Sequence, residues 1–254
     1  MATVSVCVLV CNEEAELWRC LESVRWADEI VVVVDAESRD GSEKIARKLA
    51  HRVEVRPYEG DLEQKRYCCS VAGSDWVFVV DPDEVVTPEL AGELQRVLAE
   101  DGRVGGRPCA GFEMNRLTHH LGRWIRHGDF HPDWKLRLFR RSRARWVGLN
   151  PHARVEVDGP VERLRGELQH YSFRDLSDQI DRIQLHSGQA ARALAADGRR
   201  ARLRDLVLRP PARFLRGYFL KLGFLDGAAG FVIACAIAYS VFLKYAKLWE
   251  LDHR

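Results

Sequence analysis

Two unbroken apolar runs, Ile30 to Val34 and Trp76 to Val80, limit what this chain can fold into. A third run, Val4 to Val10, is interrupted only by Ser5. Runs without polar alternation mark strands covered on both faces. Between them, apolar residues recur at helical spacing: Leu17, Leu21 and Val24 after Asn12, then Ile45, Ala46 and Leu49 after Asp40-Gly41-Ser42. Asn12 is the expected cap of the first helix. Val53 and Val55 suggest a short third strand, and Glu63 to Val71 a helix before the fourth. This alternation predicts an α/β fold: a mostly parallel central sheet flanked by crossover helices. Ligands of such sheets gather beyond the carboxyl ends of the strands. Those ends carry Asn12-Glu13, Asp35 and Asp81, so three acidic groups are expected on one edge.

The run from Trp76 ends in Asp81-Pro82-Asp83-Glu84. Pro82 has no ladder donor and helps to end the strand. In an extended chain Asp81 and Asp83 would lean to one side. Carboxylates that close repel each other unless a cation lies between them. Oxygen ligands suit Mg²⁺ or Mn²⁺, ions that commonly hold substrate phosphates. Taken alone, the motif reads equally as a solvated acidic turn ahead of a helix at Thr87-Pro88-Glu89. The first turn, Cys11-Asn12-Glu13-Glu14, is bulky and acidic where a dinucleotide site needs glycines, and no phosphate-loop motif occurs. An acidic edge suits a neutral base and ribose, leaving phosphates to the metal and to Lys65 or Arg66. A net charge of +2 argues against a bulk electrostatic nucleic-acid binder. Seven cysteines without a Cys-x-x-Cys pair are expected as free thiols of a reducing compartment. The N-terminus lacks the pattern of a signal peptide.

Several stretches together resemble the family 2 glycosyltransferases of the GT-A fold, and among them the lipopolysaccharide core β-1,4-glucosyltransferases. They are Val10-Cys11-Asn12-Glu13-Glu14, Cys20-Leu21-Glu22-Ser23-Val24, Trp26-Ala27-Asp28-Glu29-Ile30-Val31-Val32, Asp40-Gly41-Ser42, Asp75-Trp76 and Asp81-Pro82-Asp83-Glu84. Further along, His131-Pro132-Asp133, Leu136-Arg137-Leu138-Phe139-Arg140 and Gly223-Phe224-Leu225-Asp226-Gly227 also match. Departures occur at Glu37 and Arg39, where the family has small residues, at Lys65-Arg66 for a usual Lys-Asn, and at His152-Ala153 for a usual His-Glu. The resemblance implies a nucleotide-sugar site at Asn12, Glu13, Asp35, Lys65 and Asp81. Glu13 would meet the ribose and Asp35 the uracil, with Asp81 and Asp83 at the ribose and the metal-bound diphosphate. Asp83, Asp81 and His152 are the candidate metal ligands. Inverting transfer needs a base for the acceptor hydroxyl, usually a carboxylate. Asp133 is the first candidate, in a stiff, partly apolar loop expected to raise its pKa, with Asp129, Glu113 and Glu156 behind it.

Residues 1–174 are expected to form the glycosyltransferase domain, with a nucleotide-sugar half at 1–100 and an acceptor half at 101–174. Residues 175–254 form a helical, membrane-associated segment. Histidines gather at His119, His120, His127, His131 and His152 without zinc-site spacing. A helix beginning near residue 175 carries Leu176, Ile180, Ile183 and Ala190 on one side. Pro210-Pro211 is expected to break the chain. From Ala212, an aromatic face of Phe214, Tyr218 and Phe219 opposes Arg213, Arg216 and Lys221, as in a helix lying in a membrane interface. Gly227 to Leu243 lacks charge and, at about 17 residues, sits at the short limit for a span. Monotopic attachment is expected. The implied reaction is metal-dependent, inverting transfer of a hexose, glucose by preference. It runs from a UDP-sugar to a lipid-linked acceptor, the lipopolysaccharide core, at an anionic membrane on the cytoplasmic face of the bacterial inner membrane. The alternatives are a sugar-phosphate nucleotidyltransferase and an inactive membrane scaffold.

Overall fold

Each apolar run is a strand, and each helically spaced stretch a helix. The structure, a computed structural model, describes residues 2–148 and 153–253. The order is β1 (Val4–Val10), α1 (Glu14–Ser23), β2 (Glu29–Asp35), α2 (Ser42–Leu49), β3 (Arg52–Arg56), α3 (Asp61–Val71), β4 (Trp76–Val79), β5 (Glu84–Val86) and α4 (Pro88–Ala99). A two-residue pair, β6 (Arg103–Val104) and β7 (Arg107–Pro108), precedes β8 (Gly111–His120), β9 (Arg123–Trp124) and β10 (Trp134–Arg140). Then come β11 (Ala144–Val147), β12 (Arg154–Val157), β13 (Val161–His170), α5 (Leu176–Ala196), α6 (Leu203–Val207), α7 (Arg209–Leu215) and α8 (Gly227–Asp252).

The central sheet runs β3-β2-β1-β4-β10-β8-β13-β5. Parallel pairing joins β1 to β2, β1 to β4 and β2 to β3. From β10 onward the pairings to β4 and β8, and of β13 to β5, are antiparallel. The sheet is therefore mixed. Its parallel part is confined to the strands separated by crossover helices, as chain reversal through short loops requires antiparallel neighbours.

Successive residues of β1, β2 and β4 point to opposite faces, and both faces are covered. One face joins Val6, Val8, Ile30, Val32 and Phe78 to Leu17 and Leu21 of α1 and Leu90 and Leu94 of α4. The other joins Cys7, Val31, Val33, Val77 and Val79 to Cys68 and Cys69 of α3 and Phe139 of β10. This two-sided burial is why these strands show no polar alternation.

The chain packs as two compact units. One comprises Met1–Arg116 with Asp133–His170, the other Leu117–Pro132 with Tyr171–Arg254. Within the second unit, α5 lies along α8. His120 of β8 meets Gln179 of α5 at 2.9 Å. The buried Asp226 carboxylate accepts from the backbone N–H groups of Arg126 and His127 at 3.1 and 2.8 Å.

Three local expectations change. Asn12 does not cap α1. It adopts a left-handed φ of 56°, and its Oδ1 accepts from Arg39 N at 2.8 Å instead. Pro210-Pro211 does not break the chain but occupies the first turn of α7, where a missing N–H leaves no ladder bond unmade. The helix expected from Ala212 starts at Arg209 and passes into a π-helical turn over Arg216–Leu220. The uncharged run becomes the start of the 26-residue α8.

A glycine sets the fit of α4 on the sheet. A Cβ at Gly166 of β13 would lie 2.6 Å from Leu90 Cα and 2.8 Å from Leu90 N. Backbone cannot yield there as a side-chain tip can. Gly166→Ala is expected to cost about 1–3 kcal/mol of stability, the usual scale of overpacking. A thermal melt indistinguishable from the parent would show that α4 moves away freely.

Candidate active site

The carboxyl ends of β1 and β2 are stapled through their loops. Asn12 N donates to Ser38 Oγ at 3.0 Å, Glu13 N to Ser42 Oγ at 3.1 Å and Glu14 N to Asp40 Oδ2 at 2.9 Å. In return Gly41 N donates to Glu14 Oε2 at 2.8 Å. Burial raises the pKa of Asp40, but the Ser42 hydroxyl and the N–H groups of Glu14 and Ser42 outweigh it and hold the carboxyl below its usual range. Asp35, at the last position of β2, accepts from Glu37 N at 2.9 Å.

Asp81-Pro82-Asp83-Glu84 forms a turn closed by Glu84 N donating to Asp81 O at 2.9 Å. Pro82 takes its second position, which its fixed φ suits. Asp81 and Asp83 are therefore not on an extended chain, and their side chains part. Asp81 Oδ2 lies 2.5 Å from Arg137 Nη2 and 4.0 Å from Arg116 Nη1. Glu84 Oε1 lies 2.5 Å from the same Arg137 nitrogen and 3.3 Å from Arg116 Nη1. Asp83 Oδ2 faces His170 Nε2 at 3.3 Å.

Burial works against every charge here. For Asp81 the guanidinium of Arg137, with Lys65 and Arg116, outweighs burial and holds the carboxyl well below the usual range. Glu84 is fully buried beside Asp81, and burial raises its pKa in spite of Arg137. Arg137 stays charged, because Asp81 and Glu84 more than repay its burial. Glu13 has no such cation. Burial, with Asp83 and Asp81 nearby, pushes it up to about 7, although the Cys11 N–H opposes the rise.

A β-bulge explains how Arg137 reaches this place. On β10, Leu136 pairs with Glu113 and Leu138 with Phe112, so Arg137 is the extra residue. Bulges re-aim a side chain in this way. His170 arrives by strand register, lying opposite Glu84 in the β13–β5 pair. Its Nδ1 is buried without a hydrogen-bond partner.

Beside these groups is a cavity of about 380 Å³ lined by Lys65, Asp81, Arg116, Trp134, Arg137 and Trp146, among others. Lys65 pairs with Asp61 at 3.1 Å and sits 5.6 Å above the Trp146 ring. Arg66 is exposed and turned away, bonded to Glu63 and Trp146 O. Asp133 accepts from Arg116 Nε and Nη2 at 2.8 and 2.6 Å, and Lys135 Nζ stands 2.9 Å from its other oxygen. Its pKa is lowered: burial raises it, but Arg116 and Lys135 prevail. The expectation of a raised pKa in an apolar loop is thus overturned, since the loop is flanked by two cations.

The other candidate bases are engaged elsewhere. Glu113 pairs with Arg163 at 3.0 Å, and Glu156 lies on the β11–β12 hairpin between Arg145 and Arg154. Asp129 is buried in the second unit beside Arg213 and Lys221. His152 lies outside the described residues. The other histidines scatter: His119 packs on Trp124, His120 bonds Gln179, and His127 meets Asp226. Arg116, Arg137, Glu84 and His170 are the residues that sequence reasoning did not place at the site. The basic side of Trp134–Arg140 was a visible hint for Arg137, whereas no local signal marks His170.

The profile of glycosyl transferase family 2 matches residues 5–157, which spans this site. The chain belongs to that family. It is similar over 99% of its length to an uncharacterised glycosyltransferase of Rickettsia typhi, at 30% identity and 88% of that protein. It is 28% identical, over 97% of its length and 92% of the relative, to the lipopolysaccharide core biosynthesis glycosyltransferase LpsC of Rhizobium meliloti. Among solved structures, Staphylococcus aureus TarS 1–349 with UDP aligns over 99% of this chain and 91% of that one, at 14% identity and a TM-score of 0.49. Membership makes this a transferase and decides against the nucleotidyltransferase alternative.

Two measurements test the electrostatics. Arg137→Leu leaves the buried Glu84 and the half-buried Asp81 without their shared cation, and a loss of about 3–5 kcal/mol, mostly from Glu84, is expected in denaturant unfolding. Glu13 binds its proton more tightly folded, at about 7, than unfolded, at 4.5. Stability should therefore fall as pH rises between those values and level off above. Glu13→Gln, melted in EDTA, should match the parent near about pH 5 and exceed it near about pH 8, by at most about 3 kcal/mol. An advantage that does not grow with pH would mean that Glu13 is ionised throughout.

Proposed function

We propose that the chain transfers a hexose, glucose by preference, from a UDP-sugar to a lipid-linked saccharide, with inversion. The favoured acceptor is the lipopolysaccharide core. The observation that carries the reading is the meeting of Glu13, Asp81, Asp83 and His170 beside a cationic cavity with two tryptophans. Asp35 accepts from the uracil imide, and Glu13 and Asp81 hold the ribose. Trp134 and Trp146 offer flat apolar faces to sugar rings.

Asp83 and His170 fit a divalent cation. They present one carboxylate oxygen and one imidazole nitrogen, Nε2, 3.3 Å apart and facing each other. Mixed oxygen and nitrogen donors suit Mn²⁺ better than Mg²⁺. Among the described residues no cluster of three or more potential ligands occurs. When bound, the ion neutralises charge on the departing diphosphate. Asp81 could offer it Oδ1, since only its Oδ2 is held by Arg137.

In the transfer, the acceptor hydroxyl oxygen bonds to the anomeric carbon while the bond from that carbon to the diphosphate oxygen breaks. The hydroxyl proton goes to Asp133, and UDP leaves. Arg116 and Lys135 keep Asp133 ionised and fix its direction. The site works at the cytoplasmic face of the inner membrane, with the C-terminal helices on its anionic surface. The described residues include one helical stretch, Gly223–Asp252, long and apolar enough to cross a membrane, and one third of its most apolar window is buried in the protein.

Asp83→Ala and His170→Ala should each remove the Mn²⁺ dependence of UDP binding in a calorimeter, with turnover lost in Asp83→Ala. Undiminished activity in EDTA would rule the metal role out, and wild-type protein that binds no UDP would point to an inactive scaffold. Asp133→Asn should lower kcat by about 10²-fold or more with UDP affinity unchanged, as loss of a general base does. A wild-type rate in that variant would move the base to another group.

A further inference from the structure

The second unit holds a cavity of about 540 Å³ between α7, the π-helical turn and α8, within the size range of ligand pockets. Arg209, Arg213, Arg216 and Lys244 line it, with Tyr245 and Ser240. The three arginines follow at intervals of four and three residues, so one helical face presents them together. Arg209 and Lys244 both lie over the Tyr245 ring, at 4.9 and 4.8 Å. Only part of this charge is answered. Arg209 has Asp205 at 2.7 Å, and Arg213 has Asp129 at 3.3 Å. Arg216 and Lys244 have no carboxylate partner among the described residues. Cations gathered at one cavity repel one another, and an anion between them removes that repulsion.

The same elements carry unburied apolar surface. Leu215 and Phe219 are 52% exposed and Leu220 80%, while Phe242 of α8 is 40% exposed. A soluble anion would leave that surface in water, whereas an amphiphile would cover it. Basic side chains flanked by exposed aromatic and aliphatic groups are the pattern of a membrane-facing surface.

We propose that this cavity is a discrete site for the phosphate monoester headgroup of an anionic membrane lipid, whose acyl chains lie along the apolar side of α7 and α8. The two unanswered cations, Arg216 and Lys244, match a dianionic monoester better than a singly charged or zwitterionic headgroup, and an arginine fork can hold its oxygens in pairs. The site deepens the membrane-facing part of the function proposed above. It would hold the enzyme by recognition and not by charge alone.

The test is co-sedimentation of the full chain with phosphatidylcholine vesicles containing either phosphatidic acid or phosphatidylserine, matched for surface charge. The wild-type protein should prefer phosphatidic acid several-fold. Arg216→Gln with Lys244→Gln should weaken that binding by roughly tenfold and abolish the preference. Arg216→Lys with Lys244→Arg should keep both, which separates lost recognition from lost folding. Equal wild-type binding to the two vesicles, or a preference surviving in the double glutamine variant, would overturn the proposal. Inorganic phosphate that alone raised the melting temperature as much as phosphatidic acid vesicles would assign the cavity to a soluble anion and overturn the lipid source. UDP titration of the same preparations tests glycosyl transfer separately: absent UDP binding with an intact lipid preference counts against that reading and for this one.

Discussion

The guanidinium of Arg137 lies between two carboxylates of one turn, Glu84 fully buried and Asp81 half-buried. Glu84 has no contact with solvent, and Asp81 ends the most deeply buried strand of the sheet. Each charge alone would be costly there. Together they form a unit in which one cation answers two anions and Arg116 supplies a second contact to both. The arrangement fixes Asp81-Pro82-Asp83-Glu84 on the β10 side of the site. Asp83 is left outside the neutralised group and free to meet His170.

This division of labour separates carboxylates that look alike in sequence. Asp81 has one oxygen held by cations, Asp83 shares only an imidazole, and Glu13 feels the negative charge of both without a cation of its own. Two acids in one neighbourhood thus differ in their hold on a proton: Asp81 gives it up readily and Glu13 keeps it. Asp133 takes a fourth position, ionised because Arg116 and Lys135 embrace it. Arg116 reaches Asp81, Glu84 and Asp133, and so ties the turn after β4 to the start of β10 in the same unit.

The parallel part of the fold was legible because two-sided burial writes itself into consecutive residues, as in Ile30 to Val34. The acidic edge was legible because topology sends strand ends to one side. What the sequence hid depends on pairing between distant strands. His170 meets Asp83 through the register of β13 on β5, a relation between positions more than eighty residues apart that leaves no local trace. Asn12 looked like a cap because capping is a local preference, but a loop from β2 offered it a stronger partner. Pro210-Pro211 looked like a break because proline halts a helix from within, while at its first turn the same ring is pre-shaped for it.

The extra residue in β10 has a consequence for how such a chain can change. Leu138 and Phe139, next to the bulge, fill opposite faces of the sheet, one among the side chains under α1 and α4 and the other among those under α3. Leu136 and Leu138 face adjacent partners, Glu113 and Phe112, so the extra residue between them carries no share of the core. Its loss would restore a regular ladder with both layers still filled and would remove only the guanidinium, whereas a single gain or loss elsewhere in the strand would turn the residues beyond it to the wrong face. The core therefore does not ask for the bulge; what holds it in the strand is the pair of carboxylates that Arg137 meets.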